Sequence, residues 1–140
     1  MASQEHVVHR GIVADNEGAA QAAYQCGDSV SCFLLVHSLI EALLRAFLGK
    51  AKRGSFNDLI KAYEAFLMRE DQSGATFTEE LTEFNRRRNK VIHQLWKEGY
   101  TVTNGKLAPA CQAAFRVYGL FVEWLETFDP ELTDFGFEYQ

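Results

Sequence analysis

"SVSCFLLVHSLIEALLRAFLG", residues 29–49, decides the fold. Leu35, Leu39, Ala42, Leu43, Ala46 and Phe47 recur at helical spacing. Phe33, Leu34, Val36 and Ile40 spread the apolar surface round much of the circumference. A helix this apolar belongs at the centre of a bundle, packed on several sides. Its start is marked by "CGDS" at 26–29, where Gly27 suits a stop for the preceding helix and Asp28 or Ser29 suits an N-cap. Gly49 ends it.

Helical periodicity continues on both sides of this segment. A first helix is expected from about Glu5 to Cys26, with a thin apolar stripe of Val8, Ile12, Ala19, Ala22 and Ala23, weakened by Gly11 and Gly18. After the basic loop "KAKRGS", a third helix runs from about Ser55 to Arg69. Phe56, Leu59, Ile60, Tyr63, Phe66 and Leu67 share one face of it. "REDQSGAT" is a loop. A fourth helix starts near Thr76, where Thr76 and Glu79 have capping-box spacing, and ends near Gly99. Leu81, Phe84, Val91, Ile92, Leu95 and Trp96 give it an apolar face. In "GYTVTNGKLAP", the Asn104–Gly105 pair is a turn signal between short β-prone pieces, the pattern of a small hairpin. A fifth helix spans about Pro109 to Phe128, with Pro109 in its first turn. The tail from about 129 is irregular. Five helices with short links predict an all-α antiparallel bundle over residues 1–140, as one domain.

Composition narrows the function. Apolar residues make up 47% of the chain, enough for a core, so the chain is not disordered. The longest apolar run, residues 32–36, is soon broken by His37, Ser38 and Glu41, short of a membrane span. The N-terminus lacks the basic-then-apolar pattern of a signal peptide, so a cytoplasmic protein is expected. Cys26, Cys32 and Cys111 form no CxxC pair and read as buried, reduced thiols. His6 and His9 lack a third ligand at metal spacing, so neither metal nor cofactor is expected. The net charge of −5 argues against coating nucleic acid by bulk charge, but permits one local basic site.

That basic site is "NRRRNKVIHQLW", residues 85–96. On composition alone, such a run is the solvated face of a helix. The helical angles add information. Arg86, Asn89, His93 and Trp96 fall on one stripe, with Val91, Ile92 and Leu95 on the core side. Arg88 lies about 140° round the axis from His93, nearer the apolar side. An arginine there must find a buried acceptor, reach past the helix edge, or face a partner chain. The chemistry suits RNA cleavage by its own 2′-hydroxyl. Histidine serves as acid or base near neutral pH, and a guanidinium matches phosphate oxygens and stays charged. Asn89 would bond the phosphate or orient His93. One histidine cannot be acid and base at once, so a dimer pairing two copies is a natural solution.

"RNKVIH" at 88–93 resembles the R-x4–6-H motif of HEPN domains. "VHSLIEALLRAFL" at 36–48 is similar to the partner helix of that family, and "AAYQCGD" at 22–28 to the segment before it. The resemblance implies an all-α bundle, usually dimeric. In active members it implies a metal-independent endoribonuclease serving as a toxin or defence factor. Arg88 and His93 would be the motif pair and Asn89 its polar residue. Arg86 and Arg87 also satisfy the spacing, so the catalytic arginine stays open. Members silenced by adenylylation carry a tyrosine two residues after the histidine. Leu95 stands there, so the resemblance does not reach that subgroup.

Glu41 would orient His93, pair with an arginine, or stand as a partly exposed helix glutamate. His37 reads as a satisfied core histidine. Trp96 suits base stacking, or packing in the core or a dimer. Lys50, Lys52 and Arg53 suit a solvated loop or RNA steering. The reading is therefore an RNA-cleaving homodimer, with an antitoxin protein as a further partner and no membrane. The alternative is a catalytically silent HEPN module binding a nucleotide or a partner protein. A plain helical interaction domain stands behind both.

Overall fold

A computed structural model describes the backbone over residues 2–48, 54–70 and 75–128, with side chains over 11–48, 54–70 and 78–125. Gly49, Lys50, Lys52, Arg53, the side chains of His6, His9 and Thr76, and the tail from 129 lie outside the described residues. The described chain is a bundle of helices: α1 (Ala2–Gln25), α2 (Ser29–Leu48), α3 (Phe56–Arg69), α4 (Ala75–Glu98), α5 (Tyr100–Gly105) and α6 (Ala108–Phe128). No strand occurs among the described residues.

α2 is the hub, packing against each of the other five helices. Val30, Cys32, Phe33, Val36, Leu39, Ile40, Leu43 and Leu44 are buried along it. Ala42 and Ala46, expected on its inner stripe, are exposed. A helix apolar nearly all round leaves its orientation undetermined by periodicity: Leu39 and Leu43 of that stripe go inside, and Phe33, Val36, Ile40 and Leu44 join them there in place of the two alanines. By length and composition alone α2 would also suit a bilayer, although half of that window is buried in the bundle. α3 buries Phe56, Leu59, Ile60, Tyr63 and Leu67 as its spacing predicts. Ser55 caps it through a reciprocal capping box with Asp58.

The α1–α2 corner follows from its sequence. Gly27 takes φ of 85°, which costs glycine little. Its N–H donates to the Tyr24 carbonyl, and the Asp28 N–H to the Ala23 carbonyl, which is a Schellman ending. Asp28 then caps α2 by accepting from the Ser31 N–H at 3.3 Å.

Two expectations fail for physical reasons. The inward face of α1 is Val13, Glu17 and Ala20, whereas Ile12, Ala19 and Ala22 are exposed. The polar Glu17 is inside because the Tyr118 hydroxyl donates to its carboxylate, satisfying a group that would otherwise be costly to bury. The Asn104–Gly105 hairpin is replaced by the six-residue α5. Gly105 is not among the glycines with positive φ, so the hairpin turn has no backbone to build it. Asn104 works at a distance instead. Its Oδ1 accepts from the Val30 N–H at 2.9 Å, and its Nδ2 donates to the Gly27 carbonyl at 2.8 Å. One side chain thus supplements the cap of α2 and ties down the turn before it.

Removing that side chain strands both groups. Asn104→Ala should lower stability by about 1–2 kcal/mol. Asn104→Asp, which keeps the acceptor alone, should fall in between. Urea unfolding followed by circular dichroism checks this, and an Asn104→Ala midpoint equal to wild type would refute the staple.

Candidate functional site

The rotation of α4 is set by what it buries. Thr78, Leu81, Phe84, Asn85 and Val91 face inward. Asn85, which sequence reasoning treated only as the start of a basic run, is 6% exposed. Its Oδ1 accepts from His37 Nε2 at 3.1 Å, and its Nδ2 donates to Asn57 Oδ1 at 3.2 Å. One amide therefore joins α2, α3 and α4. The available signal was its place beside Phe84, a turn before Arg88, on the inner edge of the helix.

His37 is the core histidine that was expected. Its ring lies between Phe56 and Phe84, with centroids 4.5 and 5.2 Å away. Burial lowers its pKa below the ordinary histidine value, and the positive charge of Arg88 lowers it further. The hydrogen bond to Asn85 and the charge of Glu41 pull the other way. The ring is thus held neutral, with Nε2–H turned to Asn85.

With α4 so set, the basic run divides. Arg88 is half-buried, on the α2 side, and its guanidinium reaches back over the helix edge to Asn89 Oδ1 at 3.3 Å. Of the three fates open to an arginine at that angle, this is the reach past the edge. Asn89 and His93 are exposed and one turn apart on the outer stripe. Trp96 is 88% exposed on that stripe, which removes it from the core. Arg86 is ion-paired with Glu83 on the same helix. Arg87 is exposed and faces the α6 side, lining a cavity with Ala110 and Val117. Glu41 is one-third exposed and pairs with Arg45 at 2.8 Å, and Arg45 also donates to the Gly54 carbonyl. Its charge reaches His37, and its ion pair is with an arginine of its own helix.

The remaining candidates fall elsewhere. Cys32 and Cys111 are buried where α2 meets α6, and Cys111 donates to the Ser29 carbonyl at 3.1 Å. The Cys32 thiol is pushed far up by its hydrogen bond to Cys111 and by burial, so it stays protonated. Cys26 is exposed at the corner, contrary to the expectation of a buried thiol, because it sits on the outer side of the Schellman turn. No three His, Cys, Asp or Glu side chains converge in a metal-sized group among the described residues. No family model matches the chain, nor does a curated protein or a solved structure.

The state of His37 makes stability pH-dependent. Its folded pKa lies below its unfolded value of about 6.5, so the unfolded chain takes up the proton first as pH falls. Stability tied to His37 is complete above about pH 6.5 and is lost as pH drops from there toward the folded pKa. Urea titrations from about pH 7.5 to about pH 5 should show wild type losing more stability than His37→Gln, which keeps a donor for Asn85 but cannot titrate. Parallel curves for the two proteins would contradict a neutral, buried His37.

Proposed function

We propose that this chain is a metal-independent endoribonuclease of the HEPN type, acting as a toxin or defence factor. The observation that carries the reading is the reach of Arg88 over the edge of α4 to Asn89, on the side of the stripe that holds His93. A guanidinium, an amide and an imidazole then lie within about two turns of one helix, open to solvent.

Their chemistry is complementary. The RNA 2′-hydroxyl attacks the adjacent phosphorus, giving up its proton as the new P–O bond forms. The 5′-oxygen leaves as it takes a proton, and a 2′,3′-cyclic phosphate remains. His93 is suited to one of these proton transfers, because an imidazole can both take and give a proton. Arg88 is suited to the charge that builds on the non-bridging oxygens, because a guanidinium forks onto phosphate and does not deprotonate. Asn89 holds the guanidinium and offers an amide N–H to the phosphate. Arg88 is favoured over Arg86 because the Arg86 charge is already met by Glu83. Trp96, exposed three residues after His93, provides a ring on which a base can stack.

A second copy completes this scheme. One His93 serves one proton, and a paired chain brings the other to the same cleft. The substrate is RNA, the working form a homodimer in the cytoplasm, and an antitoxin protein is a partner suited to the exposed stripe.

RNA cleavage should persist in EDTA and leave 2′,3′-cyclic phosphate ends. Folded Arg88→Ala and His93→Ala should each lose roughly a hundred- to a thousandfold in rate, about 2–4 kcal/mol of transition-state stabilisation. Arg86→Ala should lose less than about tenfold, as its charge is locally neutralised. Products ending in 3′-hydroxyl, or wild-type rates in both the Arg88 and His93 variants, would end this reading. Light scattering on the active protein should give about twice the chain mass of 15.9 kDa. A monomer that still cuts RNA would remove the shared cleft.

A further inference from the structure

α4 has a second exposed flank that the proposed chemistry does not use. Where it faces the α5–α6 link, a groove of about 230 Å³ is lined by Arg86, Arg87 and Lys90, with Lys106 entering from the far side. Val91 and Leu107 supply its apolar lining and Gln94 an amide. Four cations thus meet one carboxylate, Glu83, in a chain of net charge −5. That carboxylate is already taken by Arg86, and Lys106 leans on Glu98 at 3.2 Å outside the groove. Among the described residues, no carboxylate pairs with Arg87 or Lys90. Two cations without an ion-pair partner, on the wall of a concave surface where cations outnumber the one carboxylate, form a site for an anion.

The neighbouring cavity shows that this character is local. It measures about 370 Å³ between α4 and α6, and Glu79, Glu80 and Glu83 line it. Arg116 bonds Glu80 across its mouth. An anion is repelled from that side of Arg87 and drawn to the other. The groove also lies beside the His93 stripe. Around the α4 axis Arg86 falls about 20° from His93, Lys90 about 60° and Arg87 about 120°. The cations form a continuous band from the outer stripe round to the groove.

We propose that this groove binds phosphate groups of a single-stranded polynucleotide, as a docking track beside the His93 stripe. The inference rests on the ribonuclease reading for the identity of the strand, while the groove's preference for anions stands on its own residues. Binding here is electrostatic and blind to sequence. It raises the residence of RNA near Arg88 and His93 without taking part in bond breaking.

A 2′-O-methyl oligonucleotide lacks the nucleophile and separates binding from cleavage. Fluorescence anisotropy should give Arg87→Gln/Lys90→Gln an affinity roughly tenfold below wild type at low salt. The slope of log affinity against log salt should fall by about 1.4, near 0.7 for each lost cation. Arg87→Lys/Lys90→Arg, which keeps both charges, should bind like wild type. On cleavable RNA the neutral double variant should raise KM and leave kcat within about twofold. Equal affinity and slope for wild type and the neutral variant would overturn the groove, even if wild type cleaves RNA. Groove-dependent binding without cleavage would uphold the groove and sink the ribonuclease. Binding of inorganic phosphate, dependent on Arg87 and Lys90 but with no binding of the strand, would overturn the polynucleotide assignment.

Discussion

The buried amide of Asn85 is the constraint on which the rest depends. Its two ends are spoken for, one by His37 on α2 and the other by Asn57 on α3. A buried polar group without partners costs about 1–3 kcal/mol, so turning α4 by even one residue would strand two buried side chains at once, Asn85 and His37, while the exposed Asn57 would turn to water. That fixes which way the whole helix faces. Leu81, Phe84 and Val91 go inward, Asn89 and His93 outward, and Arg88 is left on the seam.

The layer beneath the seam is kept uncharged, and this matters to Arg88. His37 stays neutral through burial between two phenyl rings, and the positive field of Arg88 reinforces it. Glu41, the nearest acid to that layer on α2, spends its charge on Arg45. Arg88 therefore has the neutral amide of Asn89 as its hydrogen-bond partner rather than a carboxylate. A guanidinium in such surroundings keeps its full attraction for an incoming anion. Arg86, held by Glu83, shows the opposite case about 3 Å of helix rise away.

Much of this was legible in the residues. The Cys26–Ser29 corner, the face of α3 and the centrality of α2 follow from glycine, capping side chains and apolar spacing, which are local properties. The misses came where one polar side chain is satisfied by a distant partner. Glu17 carries the inner face of α1 because Tyr118 meets it, and a pattern that counts only apolar residues places the stripe one position off. Asn104 looked like a hairpin residue because its use by Val30 and Gly27 is invisible in sequence. At the site, the angle of Arg88 was readable and its destination was not, since a long flexible side chain chooses its acceptor in three dimensions. Asn85 was missed for the same reason as Glu17.

Asn104 lies 74 positions beyond the N–H that it caps. Tyr100, on the same short helix, reaches back to Asp28 and Ser31 at that corner. Synthesis delivers the N-terminal helices first. α1 and α2 can therefore pair early through their own turn, while the Val30 N–H and the Gly27 carbonyl wait on water until α5 has emerged. The hairpin made first is the one whose corner closes last. Until then its apolar faces have no α6 to cover them, and a nascent chain stalled before residue 100 would present a half-built core to whatever chaperone or partner meets it.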